Sequence, residues 1–285
     1  MKESIEDLRR ICQGLPGAEH DITERIPRAI SIYITKAVLY TPLSANHVTA
    51  LNLLMAVAGS SLIAFGEPWI KIVGTLVMFM TSPMDSVDGE VARYRDQTSL
   101  TGLYLDRLNA AFTGWVLFLS LGFGLFLKSY ELPLLLVALS ASSACLFMRI
   151  VALLLRANAM EAAITQRYQE TLKNIDKIQL EKPPTMFGTA ASIKKLSLPY
   201  KVIDFLAVRY IIMIFVLIGS VLLEISVGTF GVINLWGVTY PLSGLSIFLG
   251  LYGLLLPAIT VGYVVYNIKH RTSEYLYKIL AHSRK

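Results

Sequence analysis

Long apolar stretches separated by short polar ones dominate the chain. Runs at approximately 47–66, 68–87, 103–127, 133–156, 209–228 and 242–267 each approach the roughly 20 apolar residues that a helix needs to cross a bilayer. None shows the strict polar–apolar alternation of membrane-barrel strands. The pattern predicts an all-α, polytopic membrane protein with six transmembrane helices. Ahead of them, "RIPRAISIYITKAVLY" places Ile30, Tyr33, Ile34, Ala37 and Val38 near a helical period, with Arg28 and Lys36 off that stripe. This predicts an N-terminal interfacial amphipathic helix, or equally a packed juxtamembrane helix with no lipid role. Pro42 breaks the chain before the first span, and Ser44 or Asn46 can cap the helix that follows. Three parts result: a cytoplasmic N-terminal segment (1–40), a six-helix transmembrane domain (41–270, with a cytoplasmic connection at 157–205) and a cytoplasmic tail (271–285).

Composition supports the membrane reading. Of 285 residues, 54% are hydrophobic and 16% are charged, where a soluble domain carries about 25% charged. Arg93 and Arg95 lie between the second and third runs. Arg156, Arg167, Lys173, Lys177, Lys182, Lys194, Lys195 and Lys201 lie between the fourth and fifth, and no Lys or Arg occurs between Arg209 and Lys269. The positive-inside rule then places both termini in the cytoplasm. The net charge of +6 follows from topology and from attraction to anionic lipid, so no nucleic-acid partner is expected. Cys12 and Cys145, one in the leading segment and one inside a span, offer neither a disulfide nor a metal-binding thiol pair. Residues 1–28 are too polar for a secretory signal.

The polar stretch between the second and third runs, "DSVDGEVARYRDQTSLTGLYLDRLNAA", carries the candidate chemistry. Asp85 and Asp88 are three apart and share a helix face. Gly102, Asp106 and Ala110 follow in four-residue steps and share another. If those faces meet, three carboxylates converge at the cytoplasmic mouth of the bundle, the oxygen donors that Mg²⁺ prefers. Small residues at Gly89, Ala92, Gly102 and Ala110 leave space for a bulky ligand, while Arg93 and Arg95 can contact phosphate. Asp96 reads as a solvated loop acid. The alternative, in which these acids and arginines merely form interfacial salt bridges, fits three acids poorly because acids near a bilayer are costly and usually functional.

"D-x-x-D-G-x-x-A-R" followed by eight residues and "G-x-x-x-D" closely resembles the CDP-alcohol phosphotransferases, integral membrane enzymes with six spans. The matching positions are Asp85, Asp88, Gly89, Ala92, Arg93, Gly102 and Asp106, and "TPLSANHVT" is similar to the family's entry into its first span. The resemblance implies that an acceptor hydroxyl attacks the β-phosphorus of a CDP-linked donor, giving a phosphodiester and CMP. It implies that Asp85, Asp88 and Asp106 bind Mg²⁺ or Mn²⁺, with two such ions about 3.5–4 Å apart able to stabilise incoming and departing oxygens. Gly89 and Ala92 would let the nucleoside lie against the helix, and Arg93 would fix the diphosphate or brace the acids. Membrane lipids as partners and a homodimer belong to the same implication, with the active site facing the cytoplasm.

The family pattern ends with one more acid, taken as the general base, where this chain has Ala110. Asn109 is adjacent, but a turn of about 100° per residue directs it elsewhere. An inactivating substitution, a natural variant with another base and a binding protein without catalysis remain open, and an enzyme with impaired or rerouted turnover is favoured. His47 and His270 are weak substitutes, since interfacial histidines more often cap or pack. Arg149 and Arg156, seven residues apart in the fourth run, share a face. Arg156 suits snorkelling, whereas the deeper Arg149 is expected to face the cavity and bind an anionic acceptor. Glu224 reads as structural. A non-catalytic relative binding a nucleotide or lipid is the competing reading, and a transporter comes third because no internal repeat is visible.

Overall fold

The computed structural model describes residues 3–14, 22–130, 132–165, 210–235 and 238–269, together with Ser273 and Leu276. In chain order these form α1 (Ile5–Cys12), α2 (Ile22–Leu39), α3 (Ala45–Phe65), α4 (Pro68–Tyr94), α5 (Leu100–Ser129), α6 (Leu132–Thr165), α7 (Tyr210–Val227), β1 (Gly231–Leu235), β2 (Val238–Leu242) and α8 (Gly244–Lys269). The molecule is helical, as the apolar pattern predicts. Its addition is a short antiparallel hairpin, β1 with β2, registering Gly231 with Leu242. Most of the expected connection at 157–205, the tail and His270 lie outside the described residues. α6 does run on to Thr165, so the fourth apolar run continues beyond its predicted end.

Among the described residues four helices are long and apolar enough to cross a membrane: α3, α5, α6 over Leu132–Glu161, and α8. α7 contains a shorter apolar stretch, Ile212–Val227. α4 has 27 residues, about 40 Å of helix, yet Lys71 near one end and Asp85, Asp88, Glu90 and Arg93 near the other leave a short apolar middle. Against the six spans expected, four of the described helices qualify on length and hydropathy, and α4 and α7 do not.

Close helix contact replaces bulk in this bundle. α3 and α4 cross where Gly59 faces Gly74, and a Cβ on Gly74 would stand 2.8 Å from the Gly59 carbonyl oxygen. A Cβ on Gly124 would meet the Ala64 carbonyl at 2.5 Å, which brings α5 equally close to α3. Small residues permit such approach between membrane helices. Around this crossing the buried core collects Ile63, Met78, Leu117, Phe118, Leu217, Phe248 and Tyr252. Phe118 of α5 stacks on Phe248 of α8 with centroids 5.8 Å apart.

α1 and α2 pack against the last turns of α4. Ser4 caps α1, its hydroxyl accepting from the Asp7 N–H while Asp7 accepts in return. Along α2 the face turned inward is Pro27, Ser31, Ile32 and Thr35, whereas Tyr33 and Ala37 of the predicted apolar stripe are exposed. The helix is thus packed on the bundle through a partly polar face. The reason is Glu90, a carboxylate on α4 that needs hydrogen-bond donors.

Candidate active site

α4 ends and α5 begins at the same end of the bundle, joined by a short turn in which Asp96 adopts a left-handed conformation with φ 51°. Ser99 caps α5, its hydroxyl accepting from the Gly102 N–H at 2.9 Å. That antiparallel turn carries the two predicted faces into one place. Asp85, Asp88, Gly89, Ala92, Arg93, Gly102 and Asp106 all line a single cleft of about 660 Å³, within the size range of small-ligand sites.

The three acids differ in setting. Asp88 is buried and accepts the Thr49 hydroxyl of α3 at 2.6 Å and the Gly89 N–H at 2.6 Å. Asp85 is exposed to the interior of the cleft and accepts one hydrogen bond, from the Asn109 amide at 3.1 Å. Asp106 is half-buried, with the neighbouring Arg107 at the 4.0 Å outer limit of an ion pair. Each of the three lies within electrostatic reach of another. Among the described residues neither Asp85 nor Asp88 has a basic ion-pair partner, which leaves like charges facing one another across the cleft.

Gly89 and Gly102 are small for identifiable reasons. A Cβ on Gly89 would stand 3.1 Å from a terminal guanidinium nitrogen of Arg93, and one on Gly102 would stand 3.2 Å from the Ser99 hydroxyl. Arg93 is held by its Nε, which donates to the Cys12 carbonyl at 2.6 Å. Its guanidinium therefore sits over Gly89 with its terminal nitrogens toward the cleft. Burial pushes the nearby Cys12 thiol above its ordinary range, with the Glu90 charge adding to the shift and Arg93 opposing it.

Three corrections to the sequence reading follow, and His47 takes the capping role expected of an interfacial histidine. Asn109 does not point away: it is buried and bonds Asp85, because it lies three residues after Asp106 and so shares that face. Its Oδ1 is buried without a hydrogen-bond partner. Arg95 does not reach the cleft, since its guanidinium bonds the carbonyls of Leu43 at 2.7 Å and Thr41 at 2.8 Å and pins the α2–α3 turn. His47 closes a capping box with Ser44, its Nδ1 2.7 Å from the serine hydroxyl, so its ring serves the start of α3. Arg149 is half-buried on α6 and does not line the cleft, although its charge reaches Asp85. Ala110 lies one turn beyond Asp106 and supplies no polar group there.

Four residues escaped the sequence reading: Thr49, Asn109, Glu90 and Arg28. Only Asn109 left a usable sequence signal, its i+3 relation to Asp106. The others enter the site through packing between distant segments.

The chemistry of the cleft matches that of a divalent-cation site. Its donors are hard oxygens, Asp85 and Asp88 have no ion-pair partner among the described residues and one buried amide oxygen lacks a partner; these features suit Mg²⁺ or Mn²⁺. As the side chains stand, no three His, Cys, Asp or Glu among the described residues close around a single point. Chemistry and charge fit an ion, whereas the rotamers are not drawn in upon one.

The family model for CDP-alcohol phosphatidyltransferase matches residues 43–265, and the chain belongs to that family. A comparison with curated proteins finds no match. The family is one of transferases of the CDP-alcohol type in lipid synthesis, which take a CDP-linked donor and an alcohol acceptor and generally use divalent metal. The apolar helices and the family together make this an integral membrane protein.

Proposed function

We propose that this protein transfers a phosphoalcohol group from a CDP-linked donor to an acceptor hydroxyl, releasing CMP, in a cleft that faces the cytoplasm. The observation that carries this reading is the gathering of the family's acids, glycines and arginine along one cleft, with Asp85 and Asp88 in no ion pair among the described residues. Asp85, Asp88 and Asp106 would hold Mg²⁺ or Mn²⁺, which when bound offsets the charge of the donor's diphosphate and stabilises the departing phosphate. Gly89 makes room for the Arg93 guanidinium, and Ala92 keeps the neighbouring α4 surface low beside the nucleoside. Arg93, fixed at its Nε, presents its remaining donors to phosphate oxygens.

Thr49 and Asn109 are positioning residues in this reading. The Thr49 hydroxyl holds one Asp88 oxygen, and the Asn109 amide holds one Asp85 oxygen. Each thereby limits the rotamers of an acid that must serve a ligand. Ala110 removes the family's usual proton acceptor, so turnover is slow. A second reading, in which the cleft binds nucleotide without transferring anything, is favoured by that same alanine.

The six-span topology, the cytoplasmic orientation, an interfacial placement of α2 and a homodimer belong to this reading as well. α4 and α7 complete the span count as helices sheltered by their neighbours, the Lys71–Glu224 pair joining them inside the bundle. The direct test is CMP release from a CDP-alcohol donor with Mg²⁺. Metal-dependent release that falls in Asp106→Asn supports the transferase, whereas nucleotide binding without release at any metal concentration supports the second reading.

A further inference from the structure

The family match begins at residue 43, yet one wall of the cleft comes from before it. Arg28 of α2 lines the cleft with Asp88, Gly89 and Arg93. Its placement depends on a buried hydrogen-bond knot. Glu90 is 1% exposed and spends its carboxylate on neutral donors: the Gln13 amide at 2.8 Å, the Ser31 hydroxyl at 2.6 Å and the Thr35 hydroxyl at 2.5 Å. The same Gln13 nitrogen donates its second proton to the Arg28 backbone carbonyl at 2.9 Å. Gln13 therefore links the turn that carries Arg28 to the α4 residue beside Gly89.

We propose that Arg28 is a phosphate-binding, specificity-determining residue of the cleft, held in place by Glu90 through Gln13. A cleft lined by three acids gains nothing as an anion site unless cations stand where the ligand's phosphates lie, and two arginines line it. Arg93 is committed at Nε to Cys12 and fixed over Gly89. Arg28 approaches from a separate helix, so the two can address different oxygens or different phosphates. A guanidinium fork matches phosphate geometry better than an ammonium does. Glu90, with its acceptors filled by neutral donors, orients this wall without spending its charge on Arg28.

This inference rests on the proposed function for the identity of the phosphate, which can belong to the donor's diphosphate or to a phosphorylated acceptor. The test uses the full chain in detergent, titrated with CDP plus Mg²⁺ and, separately, with inorganic phosphate. Arg28→Ala is expected to weaken one or both by about tenfold or more, Arg28→Lys to recover part of the loss, and Arg25→Ala to match the wild type. Loss toward CDP assigns the donor phosphates; loss toward inorganic phosphate alone, with CDP saturating, assigns an acceptor phosphate. Glu90→Gln is expected to weaken the same titration in the wild type but add little in the Arg28→Ala background, a non-additivity that a purely structural role would not produce. Equal affinities for both probes in wild type and Arg28→Ala overturn the inference while leaving the proposed function standing. A wild type that binds inorganic phosphate through Arg28 but never CDP does the reverse, and binding of neither overturns both.

Discussion

The two ends of the bundle both hold charge away from open water, and they treat it in opposite ways. At the far end Lys71 of α4 meets Glu224 of α7 directly, and Glu224 also accepts the Ser243 hydroxyl and the Leu245 N–H, each at 3.1 Å. The two charges of that pair are neutralised within the fold, and the arrangement fixes the start of α8 against α7. At the cleft end Asp88 and Asp85 take hydrogen bonds only from neutral groups, and the nearest acids repel one another. Charge that a protein neutralises internally serves its stability, because a broken buried pair leaves an uncompensated ion. Acids held beside a cavity without an ion pair of their own are the kind of group that serves a ligand.

Substitutions can break or sharpen that contrast. Asp88→Asn or Asp106→Asn is expected to cut CMP release on the order of 10³-fold, the equivalent of several kcal/mol of lost charge stabilisation, with little change in the thermal midpoint. Lys71→Met alone should do the opposite: lower stability by about 3–5 kcal/mol in a denaturation experiment while leaving per-molecule turnover intact. Equal damage to both properties from either change would erase the distinction between the two ends. Ala110→Asp is expected to raise CMP release by about 10²-fold, the lower range of general-base catalysis. No gain would show that another group already takes the acceptor's proton, or that none needs to. Asn109→Ala, measured in the same assay, should cost roughly 10-fold by freeing Asp85, in line with losses from groups that orient metal ligands. Glu90→Ala should lower stability by about 1–3 kcal/mol, since the Ser31 and Thr35 hydroxyls would be stranded in a buried place.

What the sequence disclosed and what it withheld divide along a physical line. Asp85 with Asp88, and Gly102 with Asp106, are related by the helical period alone, so their shared faces are readable before any fold is known. The short turn between α4 and α5 then makes their meeting nearly unavoidable. Asn109 was equally local, but comparison with Ala110 hid its i+3 relation to Asp106. Arg28, Gln13 and Glu90 obey no such period. Glu90 lies 77 residues from Gln13 and 55 from Thr35, and only the docking of α2 on α4 unites them. The same docking explains why the inward face of α2 is partly polar: Ser31 and Thr35 answer Glu90, which the apolar stripe of the helix does not reveal. The shortfall in apolar spans has a related origin. α4 carries the acids, so the helix that builds the site is the one whose hydropathy conceals its passage through the bundle.

The account turns on whether the uncompensated acids of the cleft take a divalent cation together with a cytidine nucleotide. The thermal midpoint of the detergent-solubilised protein with CDP, with and without Mg²⁺, measures this directly. A rise that requires both components and disappears in Asp88→Asn is the predicted result. A rise with CDP that is unchanged by chelating all divalent metal, or no rise at all, would contradict it.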